Sequence, residues 1–130
     1  MLILDELRYS EEHLWVRHEG DHTVTLGMTD FGQSQLGDLC YVALPNEGDE
    51  IAYCEPFGSV ECANLVADLY APLCGRVLEI NREVIHNPTM VNASPYRKGW
   101  MIRAKLFTPE ELDGLMSADD YEEYILTDGL

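Results

Sequence analysis

Positive charge is what this chain has least of. Its 130 residues carry 8 Lys+Arg against 24 Asp+Glu, a formal net charge of −16. Nucleic-acid binding needs clustered Lys and Arg that displace counterions, so that class of partner is excluded. Anionic membrane surfaces are disfavoured for the same reason. Long apolar runs are missing too, and none approaches the roughly 18–20 residues of a membrane span. The start, MLILDELRYS, has no basic segment and meets Asp5 and Glu6 at once, unlike a secretory signal, so the expected compartment is the cytoplasm. Cys40, Cys54, Cys62 and Cys74 form no C-x-x-C, so neither a zinc ribbon nor a dithiol redox motif is spelled out. Free thiols are expected, with Cys40 in LCYVAL and Cys74 in PLCGRV as small core fillers. The phosphate-binding patterns GxxxxGK[ST] and GxGxxG are absent, as is the GxSxG nucleophile elbow. Ser59 has no base partner and Cys62 no nearby histidine in sequence. No catalytic set converges, and the chain is not expected to be an enzyme.

What is present reads as one domain over residues 1–130, and the hydrophobic share of 46% is ordinary for a folded protein. HLWVRHEGDHTVTLGM reads as a β-hairpin turning at Gly20. In TDFGQSQLG, Thr29 or Asp30 caps a short helix and Gly37 ends it. DLCYVALP is a strand stopped by Pro45. EIAYCEPFGSVEC and LVADLYAPLCGRVLEIN are extended stretches, interrupted at Pro56-Phe57-Gly58 and at Pro72, and GWMIRAKLF is a last strand. Residues 82–99 read as turn-rich. Thr108, Pro109 and Glu111 spell a capping box, and Ser117 starts a second helix with acids in its first turn. The expected fold is mostly β, about seven or more short strands with a short internal helix and a helical end. His13 and His18 face opposite sides of one strand, and His18 with His22 makes only two ligands, so no metal is expected and the histidines read as exposed polar positions.

The stretch GSVECANLVADLYAPLCGRV reads as two strands around a tight turn at Asn64, a residue that tolerates left-handed backbone. Leu65 and Val66 follow at once. If both project into water they suggest a contact surface; alternation would instead fold one of them inward. The surplus of acid suits partners that present basic patches.

The segments YSEEHLWV, LGD…YVALP, YAPLCGRVLEIN and VNASPYRKGW carry a resemblance over nearly the whole chain. The chain closely resembles the H-protein family of the glycine cleavage system. The resemblance implies a lipoyl-type barrel-sandwich hybrid, two small antiparallel sheets with a short internal helix and C-terminal helices. It also implies a non-catalytic carrier whose partners are glycine decarboxylase, aminomethyltransferase and dihydrolipoamide dehydrogenase, with lipoate-attaching enzymes loading it. The family's lipoyl group sits in amide linkage on a lysine at a hairpin tip, in the motif Glu-Ser-x-Lys-Ala.

On that motif Glu61 matches the glutamate, Cys62 replaces the serine, Asn64 replaces the lysine and Leu65 the alanine, with the register fixed by DLYAP downstream. The chain's two lysines, Lys98 and Lys105, fall elsewhere. A carboxamide nitrogen is delocalised into its carbonyl and cannot form the amide, and Asn lacks lysine's four-carbon stem. No lipoyl cofactor is therefore expected. The expected role is a non-lipoylated H-protein-like binding module, with Leu65 and Val66 as its contact residues. The alternative is an aminomethyl or acyl carrier loaded at another point such as Cys62, whose sequence neighbours include no Lys, Arg or His to favour a thiolate.

Overall fold

A computed structural model describes residues 1–127; positions 128–130 of the 1–130 span lie outside the described residues. The strands are β1 (Arg8–Tyr9), β2 (Leu14–Gly20), β3 (Thr23–Met28), β4 (Tyr41–Ala43), β5 (Glu50–Ile51), β6 (Pro56–Cys62), β7 (Leu65–Tyr70), β8 (Gly75–Ile80) and β9 (Ile102–Leu106). They form two antiparallel sheets, a six-stranded one ordered β1-β2-β3-β9-β8-β5 and a three-stranded one ordered β4-β6-β7. The helices are α1 (Asp30–Leu36), α2 (Arg82–His86), α3 (Thr89–Ala93) and α4 (Ala118–Thr127), with a 3₁₀ helix over Pro109–Gly114.

Local signals account for much of this. The β2–β3 hairpin turns through Asp21 and His22, both left-handed at φ 51° and 59°, after Gly20 at φ 93°. That backbone matches the right-handed twist of the flanking strands. Thr29, rather than Asp30, caps α1, its Oγ1 accepting from the Gly32 amide at 3.0 Å, and Gly37 ends the helix at φ 85°. Ser117 starts α4 as expected, its Oγ accepting from the Asp120 amide at 3.2 Å.

The six-stranded sheet is covered on both faces. Leu14, Val16, Val24, Leu26, Ile102 and Ala104 join the main core with Val42, Val60 and Leu69 of the smaller sheet. Trp15 and Tyr9 belong to a second cluster with Phe31, Tyr96, and Ala118, Tyr121 and Ile125 of α4. This double burial explains why LWV in β2 is buried without a break rather than alternating.

Several expectations are corrected. Residues 82–99 are not merely turns; they form α2 and α3, the first capped by Asn81, whose side chain accepts from the Glu83 amide. Pro56-Phe57-Gly58 does not interrupt a strand but begins β6, with a register shift at Phe57. The capping box at Thr108 does not form. Thr108 makes no side-chain cap bond, and the Glu111 carboxylate instead accepts from the Cys74 amide at 2.9 Å. A long-range amide has outcompeted the local one. Cys40 is exposed and Cys74 half-buried, so Cys40 fills no core.

His13 is also not an exposed polar residue, although His18 and His22 are. Its Nδ1 lies 2.9 Å from the Tyr121 hydroxyl, which lies 2.8 Å from Thr29 Oγ1, joining β2's entry, the α1 cap and α4. Tyr121 stacks on Tyr9 at 4.6 Å, and burial pushes both phenols well above their ordinary range. The same burial holds the His13 imidazole below its ordinary 6.5. A base with a depressed folded pKa takes up its proton more readily in the unfolded chain. The stability it contributes is therefore full above about pH 6.5 and is lost as pH falls through the folded value. Urea midpoints measured between about pH 8 and about pH 5 should fall more steeply for the wild-type chain than for His13→Gln. Parallel slopes would remove His13 from this role.

Candidate functional site

The β6–β7 hairpin carries the singled-out residues. Its strands pair in register from Ser59↔Asp68 through Val60↔Ala67 and Glu61↔Val66 to Cys62↔Leu65, leaving Ala63 and Asn64 as the two-residue tip. β4 flanks the other side of β6, pairing Tyr41↔Glu61 and Val42↔Val60. Gly58 is needed for that approach, since a Cβ there would collide with the Ala43 carbonyl oxygen.

Alternation sorts the side chains. Val42 and Val60 are buried, so Ala67, Cys62 and Leu65 share the core-facing side, while Tyr41, Glu61 and Val66 form a row on the outer face. Cys62 is partly buried and packs against the main core. Leu65 has the same facing but sits past the end of the core and is 52% exposed. Val66 is 61% exposed, and Tyr41, its row-mate across Glu61, is 50% exposed. Alternation does turn Leu65 toward the inner face, but the tip overhangs the core, so Leu65 stays exposed along with Val66 rather than being buried.

Asn64 is exposed. It is not among the non-glycine residues at positive φ, which are His13, Asp21, His22 and Cys54. The expected left-handed backbone at Asn64 is thus absent, and turn geometry does not explain the asparagine. Position 64 carries no left-handed backbone that would disfavour a lysine there.

The tip offers no primary amine, and a lipoyl group held in amide linkage does not fit these residues. Lys105 lies on β9 of the other sheet, its Nζ donating to the Asp21 carbonyl at 2.7 Å. Lys98 lies on the 94–100 loop, whose position is fixed by the Asn81 side chain donating to the Lys98 and Trp100 carbonyls at 2.8 and 2.7 Å.

The hairpin therefore unites Glu61, Cys62, Asn64, Leu65 and Val66, and adds Tyr41. Sequence reasoning missed Tyr41, because only strand pairing brings it beside residues twenty positions on. Its one signal in the sequence was an aromatic within the strand DLCYVALP.

A family described as "Glycine cleavage H-protein" matches residues 7–128. The glycine cleavage system H protein of Geobacillus sp. is 54% identical over 120 residues, covering 92% of this chain and 94% of that one. That of Staphylococcus carnosus is 50% identical over 125 residues, covering 96% and 98%. The crystal structure of a glycine cleavage system H protein from Mycobacterium marinum superposes with a TM-score of 0.84 at 29% identity, covering 98% of this chain and 100% of that one.

Proposed function

We propose that this chain, which belongs to the glycine cleavage H-protein family, is a member that does not carry the lipoyl group and acts as a protein-binding module. Its partners on this reading are enzymes of glycine cleavage (glycine decarboxylase, aminomethyltransferase, dihydrolipoamide dehydrogenase) or lipoate-attaching enzymes. The observation that carries the reading is the exposed Ala63–Asn64 tip, amine-free and followed by the exposed Leu65 and Val66. Asn64 stands at the family's lipoyl-lysine position, beside Glu61 at the motif's glutamate. Two adjacent apolar side chains in water are unfavourable for a free monomer and gain when a partner covers them. Val66 has acidic surroundings, with Glu61 and Asp68 on its face of the sheet, and these select a partner pocket rimmed by basic groups.

The first test is the intact mass of protein from its native host, with peptide mapping of residues 58–77. An unmodified chain supports the reading. A lipoyl group on Lys98 or Lys105 overturns it, and a group on the Cys62 sulfur replaces it with the carrier alternative. For the binding half, Leu65→Asp with Val66→Asp is expected to weaken binding to the partner enzyme by roughly tenfold or more, by adding desolvated charge to an apolar contact. Unchanged affinity for every one of the named enzymes would place the contact elsewhere.

A further inference from the structure

Of the chain's eight Lys+Arg side chains, six reach an acceptor. Arg76, Arg82, Arg103 and Lys105 pair with Glu50, Glu47, Glu79 and Asp21. Arg8 donates to the Leu115 carbonyl and Arg17 to the Tyr96 carbonyl. Arg97 and Lys98 stand apart: both are exposed, and among the described residues neither side chain makes an ion pair or a hydrogen bond. In a chain of net charge −16, two neighbouring cations left without a carboxylate are unexpected.

Their backbone is held firmly. The Ser94 carbonyl accepts from the Arg97 and Gly99 amides at 3.3 and 2.8 Å, and Ser94 Oγ accepts from the Lys98 amide at 3.2 Å. Buried Asn81 clamps the Lys98 and Trp100 carbonyls, and the Trp15 indole N–H donates to the Pro95 carbonyl at 2.9 Å. The loop presents its cations to a cleft of about 810 Å³ lined also by Arg17, Tyr96 and Trp100. Glu6 and Glu83 line it too, leaving three cations against two carboxylates, and neither carboxylate pairs with Arg17, Arg97 or Lys98. Cations on a pre-organised backbone lose less on binding an anion than cations on a mobile one.

We propose that this cleft binds a small, multiply charged oxyanion, a phosphate or polycarboxylate of ligand size, gripped by Arg97 and Lys98 with Arg17 beside them. Size follows from screening. The Debye length at physiological salt is about 8 Å, so a small anion in the cleft senses the local cations and little of the remaining surface. An acidic protein would meet the whole −16 field and be repelled. Arg97 offers a planar fork for two oxygens and Lys98 a point charge for a third. The cleft shares no residue with the hairpin tip, so the inference stands or falls without the reading of that tip.

The test is an amide-shift titration of the full chain with inorganic pyrophosphate, and in parallel with citrate. Saturable shifts confined to residues 94–100, Arg17 and the Trp100 indole are expected. Tighter binding of pyrophosphate identifies the source as a phosphate, and tighter binding of citrate identifies it as a carboxylate. Arg97→Ala with Lys98→Ala should weaken binding roughly tenfold or more, since two charge-assisted contacts go. Arg76→Ala, which removes an ion-paired cation outside the cleft, should leave it unchanged. No saturation by about 10 mM of either anion, or equal binding by the double variant, overturns the site.

Discussion

Replacing Asn64 by lysine should make this chain a substrate for lipoate attachment. The wild-type protein, incubated with a lipoate ligase, lipoate and ATP, should keep its mass. Asn64→Lys should gain one lipoyl group, and the triple change Cys62→Ser, Asn64→Lys, Leu65→Ala, which restores the family motif around Glu61, should gain it faster. The physical ground is all-or-none. An ammonium that loses its proton is a nucleophile; a carboxamide nitrogen is not, at any accessible pH. The backbone at position 64 is not left-handed and the side chain is exposed, so lysine enters without strain. Stability should shift by no more than about 0.5 kcal/mol, as for other exposed positions. Intact-mass spectrometry reads the outcome. A lipoyl adduct on the wild-type chain would sink the reading, because it would need an amine that the tip does not have. Failure of the triple variant would mean that position 64 is not the family's attachment point, and the register laid on DLYAP would have to be abandoned.

Trp15→Ala should be the most damaging single substitution in the fold. Trp15 is 0% exposed, and its ring packs so closely on Gly27 that a Cβ there would lie 3.0 Å from it. The Arg17 guanidinium sits 4.9 Å above the ring, and Tyr96 lies 6.1 Å from it. Removing the ring should cost about 3–5 kcal/mol, from lost transfer energy and the cavity left behind. Against a total of about 5–15 kcal/mol, that is a large share of all the stability there is. Trp15→Phe separates the causes. It keeps most of the packing but loses the N–H, leaving the Pro95 carbonyl unpaired at a cost of about 1–3 kcal/mol. Urea unfolding of the three proteins measures both. A loss below about 1 kcal/mol for Trp15→Ala would contradict the packing described. The effect should spread to the 94–100 loop, since the indole is one of its anchors, and the pyrophosphate affinity of the cleft should fall with it.

Much of the fold was legible because its signals are local. The β2–β3 hairpin follows from a short polar link between two β-rich runs, although its turn falls at Asp21–His22 with Gly20 still in β2 rather than at Gly20 itself, and Thr29 and Gly37 bracket α1 through bonds that span three or four residues. The tip itself was legible: which residue stands at position 64 is a fact of covalent chemistry, and no packing can supply an amine that the chain lacks there. Where two partners compete for one group, the sequence alone was silent. Thr108 and Glu111 spell a cap, yet the Glu111 carboxylate is taken by the Cys74 amide, because β8's entry passes within reach and a half-buried amide without a partner costs more than an uncapped 3₁₀ turn. His13 read as a surface residue until α4 brought Tyr121 to its ring from 108 positions away. Leu65 and Val66 are both exposed because the tip overruns the core, a matter of where the sheet ends in space. The pairing of Tyr41 with Glu61 and the gathering of Arg17 with Arg97 and Lys98 are likewise long-range. The sequence by itself determined which chemistry is possible at the tip and which short elements form, because propensity, capping and nucleophilicity are properties of residues and their immediate neighbours. The tertiary structure alone decided which charges remain unpaired and which side chains overhang the core, because those depend on distances between segments that no local rule specifies.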